Sequence, residues 1–142
     1  MLRRWDGGKM STAVWKLIPK KQIGEIEFGA DKNDVRKVLG KEYRPFRKSI
    51  FAKSTTDAYA DYHVYYTKED TLEAIEIFNG IEVLLSGKTL FPGTIECAKK
   101  MITDLECESG SYISKRYSVG LYAPNDEGTI EAILVAGETY YK

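Results

Sequence analysis

The chain has 142 residues, with 21 basic and 21 acidic side chains and a formal net charge of zero. That length suits one domain with a sizeable core, and the charge balance argues against a uniformly basic nucleic-acid binder. No apolar run approaches the roughly 20 residues of a membrane-crossing helix, no signal core follows the basic N-terminus, and the two cysteines, Cys97 and Cys107, are too few for the disulfide framework of a small secreted domain. The expected setting is cytoplasmic, with both thiols reduced. The charge is unevenly distributed: residues 1–60 hold fourteen basic and seven acidic side chains, and residues 61–142 hold seven and fourteen. Such polarity can steer a charged partner toward one side of a fold.

Residues 1–13 contain Gly7-Gly8 and no hydrophobic period, and are expected to form a flexible tail; residues 14–142 are expected to form a single domain. Residues 14–18 read as a short strand closed by Pro19. The segment IGEIEFGADKNDVRKVLG, residues 23–40, is the most clearly organised of the chain. Ile26 and Phe28 alternate with Glu25 and Glu27, as in a strand with one wet face. Gly29 breaks that strand, and Asp31 can cap a helix with Asp34 in its first turn. Val35, Val38 and Leu39 form one apolar stripe. Gly40 is placed to end the helix with a positive φ.

Residues 41–60 are the least regular. Arg44, Arg47, Lys48 and Lys53 interleave with Tyr43, Phe46 and Phe51, a composition that can serve a nucleic-acid backbone. The preferred reading is a long loop that packs its aromatic rings on the core. Residues 62–66 (YHVYY) and 72–78 (LEAIEIF) then read as a hairpin, Asn79-Gly80 as a tight turn, and 81–85 (IEVLL) as the next strand of a meander that 89–91 extends. After Pro92-Gly93 the period changes: Thr94 can cap a second helix with Ile95, Ala98, Ile102 and Leu105 at helical spacing. Residues 112–122 and 130–135 (IEAILV) are read as the last two strands, with Thr139, Tyr140 and Tyr141 closing the sheet. LEAIEI and IEAILV share Glu-Ala-Ile, and each closes a helix-then-strand run. This order suggests a duplicated helix–hairpin unit. The expected class is α+β, with two helices on one face of a mostly antiparallel sheet.

Assembled chemistry is sparse. His63, the single histidine, sits within a strand beside aromatic residues, and no serine or cysteine adjoins it in a pattern that marks a nucleophile. One histidine and two distant cysteines do not make a zinc site. Asp126 and Glu127 lack calcium-loop spacing, and no glycine-rich phosphate cradle occurs. Asp57 and Asp61 flank Tyr59 and could form a hydrolytic carboxylate pair, although loop and strand-edge carboxylates are the simpler reading. Tyrosine stands out instead. There are ten, and Tyr59, Tyr62, Tyr65 and Tyr66 crowd one segment, with Tyr62 and Tyr66 on one strand face and Tyr65 on the other. Tyrosine combines contact area with a polar tip, which suits protein recognition.

FGADKNDVRKVLG, KSIFAKSTTDAYADYHVYY and LEAIEIF together resemble a family of small bacterial cytosolic proteins associated with immunity to toxins of interbacterial competition. The turn–helix GADKNDVRKVLG is also similar to the helix opening of small lipoprotein and β-lactamase-inhibitor-like folds, which are binding folds, although this chain lacks their disulfides and a lipoprotein signal. These resemblances imply a non-catalytic inhibitor of a cognate toxin. The expected contact residues are Asp57, Tyr59, Asp61 and Tyr65, with no cofactor, no metal, a protein partner, and neither nucleic acid nor membrane. A small hydrolase or nucleotide-processing enzyme using acidic residues, and a nucleic-acid binder using residues 41–53, are the alternatives.

Overall fold

The computed structural model describes residues 5–6, 9–10, 13–47, 49–51 and 54–141. Most of the expected tail lies outside the described residues, as do Lys48 and Lys53; within it, β1 (Trp5–Asp6) and β2 (Lys9–Met10) pair antiparallel. The chain continues through β3 (Ala13–Ile18), β4 (Gln22–Ile23), β5 (Ile26–Glu27), α1 (Lys32–Leu39), β6 (Arg44–Phe46), β7 (Thr56–Ala58), β8 (Tyr62–Tyr66) and β9 (Leu72–Ile77). It then forms β10 (Ile81–Leu85), β11 (Lys88–Phe91), α2 (Ile95–Met101), β12 (Glu106–Glu108), β13 (Ser111–Ser114), β14 (Val119–Tyr122) and β15 (Ala132–Ala136). This is the expected α+β class. Apart from the β1-β2 pair, its strands divide between an eight-stranded antiparallel sheet ordered β12-β13-β14-β15-β9-β8-β7-β6 and a five-stranded sheet ordered β11-β10-β3-β4-β5.

Register sorts the eight-stranded sheet into two unlike faces, because side chains alternate along a strand and directly paired residues share a side. One row crosses it through Asp57, Val64, Ile75, Val135, Val119 and Ser114, all buried. The neighbouring row runs through Arg44, Ala58, His63, Glu76, Leu134, Gly120, Ile113 and Glu106, and none of these is buried. The buried face receives the five-stranded sheet, where Trp15 of β3 packs its ring 5.0 Å from that of Tyr62. α1 sits over the same face through Arg36, which reaches Asp57, and α2 through Lys99, which reaches the ring of Tyr112. Ile75, Ile77, Ile81, Val83 and Ile133 are at most 1% exposed. Burial of such a side chain is worth roughly 1.5–3 kcal/mol.

The helices begin as the caps dictate. Asp31 accepts from the Asn33 N–H at 3.0 Å and Thr94 from the Cys97 N–H at 3.3 Å. Gly40 closes α1 at φ +96° and ψ −175°, an extended positive-φ geometry rather than the left-handed helical one, and its N–H bonds the Arg36 carbonyl.

The two halves repeat each other beyond the Glu-Ala-Ile echo. Each is a helix followed by four antiparallel strands, and the last strands of the two, β9 and β15, meet at the centre of the sheet. Leu72 N–H bonds Ala30 O at 2.8 Å, and Ile130 N–H bonds Gly93 O at 2.9 Å; Lys32 N–H bonds Asp70 O at 2.9 Å, and Ile95 N–H bonds Gly128 O at 2.8 Å. Asp70 and Gly128, in matching positions, both have positive φ. Aligning LEAIEI with IEAILV matches Glu76 to Leu134, and these two are themselves cross-strand partners. A local pseudo-two-fold axis therefore passes between them.

Several boundaries differ from expectation. Asn79-Gly80 is not a hairpin turn: β10 leaves the large sheet and pairs parallel with β3. The cause is the apolar alternation of Ile81, Val83 and Leu85, which are all buried in the second sheet. Gly80, at φ +68°, makes the bend, and a β-carbon there would collide with the Asp61 carboxylate. α2 stops at Met101, so Leu105 packs against the core from outside the helix. Residues 112–122 fold back into two strands through a turn that holds Ser118 at φ +56°. Residues 139–141 add no strand.

Candidate functional site

The residues singled out by sequence fall into two places. Asp57 lies on β7 and is fully buried. Its carboxylate accepts from Arg36 Nε at 2.9 Å and Arg36 Nη2 at 2.8 Å, a bidentate pair, and from the Tyr66 hydroxyl at 2.9 Å. The Tyr43 ring covers Arg36, with 4.2 Å from the guanidinium carbon to the ring centroid. The Asp57 hydrogen bond raises the Arg36 pKa above its ordinary value, and burial, aided by the Asp57 charge, raises that of Tyr66. Tyr59 is 8% exposed; it stacks on Tyr62 at 4.9 Å and donates its hydroxyl to Gly40 O at 3.0 Å. Burial raises its pKa as well.

Asp57 and Tyr59 therefore hold α1 against β7 and β8. A carboxylate with no exposed surface offers nothing to a partner, so Asp57 leaves the expected contact set, and Tyr59 offers little. Lys32 reinforces the same seam: its Nζ lies 3.0 Å from Asp70, bonds Ser54 and Thr55, and rests 4.8 Å from the Tyr66 ring centroid. Hydrogen bonds from Ser54 and then Lys32 hold the Asp70 carboxyl below its usual range.

Asp61 is half-buried at the bend after Tyr59, where its carbonyl accepts from the Phe78 and Asn79 N–H groups. Tyr65 lies on the opposite face of β8 from Tyr62 and Tyr66, as alternation predicts. It is the one expected contact residue that stands on the uncovered face of the eight-stranded sheet.

On that face Tyr65 donates its hydroxyl to Glu76 Oε1 at 2.9 Å. Tyr65, Glu76, Leu134, Tyr140 and Tyr141 help to line a cavity of about 280 Å³. Tyr140 and Tyr141 meet edge to face at 4.9 Å. Tyr141 reaches over Gly120, whose missing side chain makes the room: a β-carbon there would lie 2.5 Å from the Tyr141 hydroxyl. Burial raises the pKa of Tyr65, raises that of Tyr140 with help from Glu73 and Glu76, and pushes that of Tyr141 up to about 12. Beside this cavity His63 stands between two rings, Phe46 at 5.7 Å and Phe78 at 5.2 Å, both edge-on. Phe46, Phe78 and Tyr122 are exposed to 41%, 37% and 45%. Beyond β6, Ile50 and Phe51 are the most exposed large apolar side chains described, at 85% and 83%. Of the aromatic residues at 43, 46 and 51, only Tyr43 packs against the core.

Among larger hollows, two of 670 and 580 Å³ flank the Ser86-Gly87 turn and contain no carboxylate, and one of 350 Å³ beside Lys20 and Lys21 contains Glu27. The sheet-face cavity contains Glu76 alone. Cys97 and Cys107 are free and exposed. Among the described residues no group of three His, Cys, Asp or Glu side chains could hold a metal ion, and no helix is long and apolar enough to cross a membrane.

Sequence reasoning passed over Arg36, Glu76, Gly120 and the Tyr140–Tyr141 pair. Gly120 carried the plainest available signal, a glycine inside an apolar strand, which marks close approach of another group. Comparison with protein-family models, curated proteins and solved structures finds no match to this chain.

Proposed function

We propose that this protein is a non-catalytic binding module that engages a protein partner through the uncovered face of its eight-stranded sheet. One observation carries this reading: that face presents the ring row Phe46, His63 and Phe78 beside the Tyr65–Glu76 cavity, and these five side chains are half-exposed or exposed, around the buried Thr56, Ala74 and Ala136. Aromatic anchors beside a few polar groups are the chemistry of protein interfaces. The finer identity, an immunity protein or inhibitor that neutralises a toxin, is supported by the sequence resemblance alone. It requires only stoichiometric coverage of the partner's site.

The acidic half of the chain contributes β12 with Glu106 and Glu108 to one edge of this face, and the basic half contributes β6 with Arg44 to the other. A basic partner site would lie toward β12. Its association rate should fall with added salt.

The test places a photo-crosslinking residue at Phe78 or Tyr122. Either should capture one protein species in stoichiometric amount from the producing cells. The same probe at Val14, 47% exposed on the outer face of the five-stranded sheet, should capture none. Equal capture at Val14 would remove the assignment of the face. Turnover of a small substrate, abolished by replacing one acidic side chain or His63, would remove the non-catalytic reading.

A further inference from the structure

We infer that the cavity formed by Tyr65, Glu76, Tyr140 and Tyr141 is a socket for a basic side chain, arginine foremost, presented by the protein partner. The inference rests on the binding-face reading above and adds the chemistry of the contact.

The argument comes from a cage the molecule has already built. In its interior a carboxylate, Asp57, takes a hydrogen bond from a tyrosine hydroxyl, Tyr66, and a second tyrosine ring, Tyr43, lies nearby; the occupant is the guanidinium of Arg36. On the outer face a carboxylate, Glu76, takes a hydrogen bond from a tyrosine hydroxyl, Tyr65, with two further tyrosine rings lining the same cavity. The outer arrangement has the acceptor and the aromatic surfaces, but among the described residues no basic group pairs with Glu76. Its 280 Å³ opens on the face, and Glu76 is half-buried there. Partial burial strengthens attraction to an entering cation. Tyrosine faces attract guanidinium more than they attract a neutral apolar side chain. Gly120 is part of the construction, because its missing side chain lets Tyr141 reach over the sheet.

The experiment uses the intact protein and two blocked tripeptides, acetyl-Gly-Arg-Gly-amide and acetyl-Gly-Leu-Gly-amide. The aromatic resonances of Tyr65, Tyr140 and Tyr141 are followed by NMR. The arginine peptide should shift these rings saturably at millimolar concentration, and the leucine peptide should not. Glu76→Gln keeps an acceptor for the Tyr65 hydroxyl but removes the charge, and should weaken arginine binding about tenfold. Tyr140→Leu should weaken it as well, with the remaining spectrum unchanged. Equal shifts from the leucine peptide, no shift from the arginine peptide, or arginine binding unchanged in Glu76→Gln would overturn the socket. Crosslinker capture at Phe78 without peptide shifts overturns the socket and leaves the binding face. Peptide shifts without capture overturn the binding face and leave a cation site.

Discussion

Arg36 and Lys99 occupy the same position in the two halves, five residues after the helix cap in each. Arg36 is engaged by a buried carboxylate, Asp57. Lys99 lies 5.6 Å from the ring of Tyr112, the residue that matches Asp57 in strand register. The difference continues outward. His63 stands between two phenylalanine rings, whereas its counterpart Gly120 is bare and is roofed by Tyr141. Tyr65 is half-buried on Glu76, and its counterpart Tyr122 is 45% exposed. The backbone repeats because caps, bridges and register repeat. The side chains diverge because these positions carry no backbone duty, so the first half could place an ion pair inside while the second kept its helix cation near the surface. The paired scaffold thus supports one asymmetric face.

Arg36→Ala should be the most damaging change, because it leaves the Asp57 carboxylate buried without its cation. A loss of roughly 3–5 kcal/mol is expected in urea unfolding. Lys99→Ala should cost under about 1 kcal/mol, the range of an exposed cation–π contact. Similar losses from the two variants would break the comparison. Gly128→Ala should cost about 1–2 kcal/mol, since φ is +69° there. Gly128→Asn should cost less, because the matching position already holds Asp70 at φ +61°. Gly120→Ala should change stability by less than about 1 kcal/mol but displace Tyr141, whose phenol should then titrate below its value of about 12. His63→Ala should leave that titration unmoved.

The pH response is the mildest effect at neutrality and has a definite sign. Burial raises the folded pKa values of Tyr59, Tyr65, Tyr66 and Tyr141 above the unfolded value, which is about 10. Their contribution is fully present below that pH and is lost as pH climbs toward the folded values. Unfolding midpoints should be flat from neutrality to about pH 9 and fall beyond about pH 10. Phenolate absorbance from the four should appear late, together with unfolding.

Much of the scaffold was legible because it rests on local chemistry. Asp31 and Thr94 cap, Tyr62 to Tyr66 alternate, and the shared Glu-Ala-Ile marks strands that prove to be matching partners across the pseudo-two-fold axis. The Asn79-Gly80 dipeptide has the chemistry of a hairpin turn, but the next strand finds its partner in β3, far back in the chain. Local turn preference is worth little against burial of three apolar side chains. The site was less legible for the same reason. Asp57 reads as a surface acid until Arg36, 21 residues earlier, is folded beside it. The Tyr65 cavity needs Glu76 from the adjacent strand and two tyrosines from the end of the chain. Only the parity of Tyr65, opposite to Tyr62 and Tyr66, could be read in advance.

The two rims of the large sheet carry a consequence for how copies of the protein meet. An unpaired rim is a template for a neighbouring chain. Here β6 interrupts its amide donors with Pro45, and β12 places Glu106 and Glu108 around Cys107. Two like rims brought together would oppose cation with cation or anion with anion. An unlike pair would match in charge but meet a proline that cannot donate. Crowded copies are thereby steered away from ribbon-like stacking along these rims.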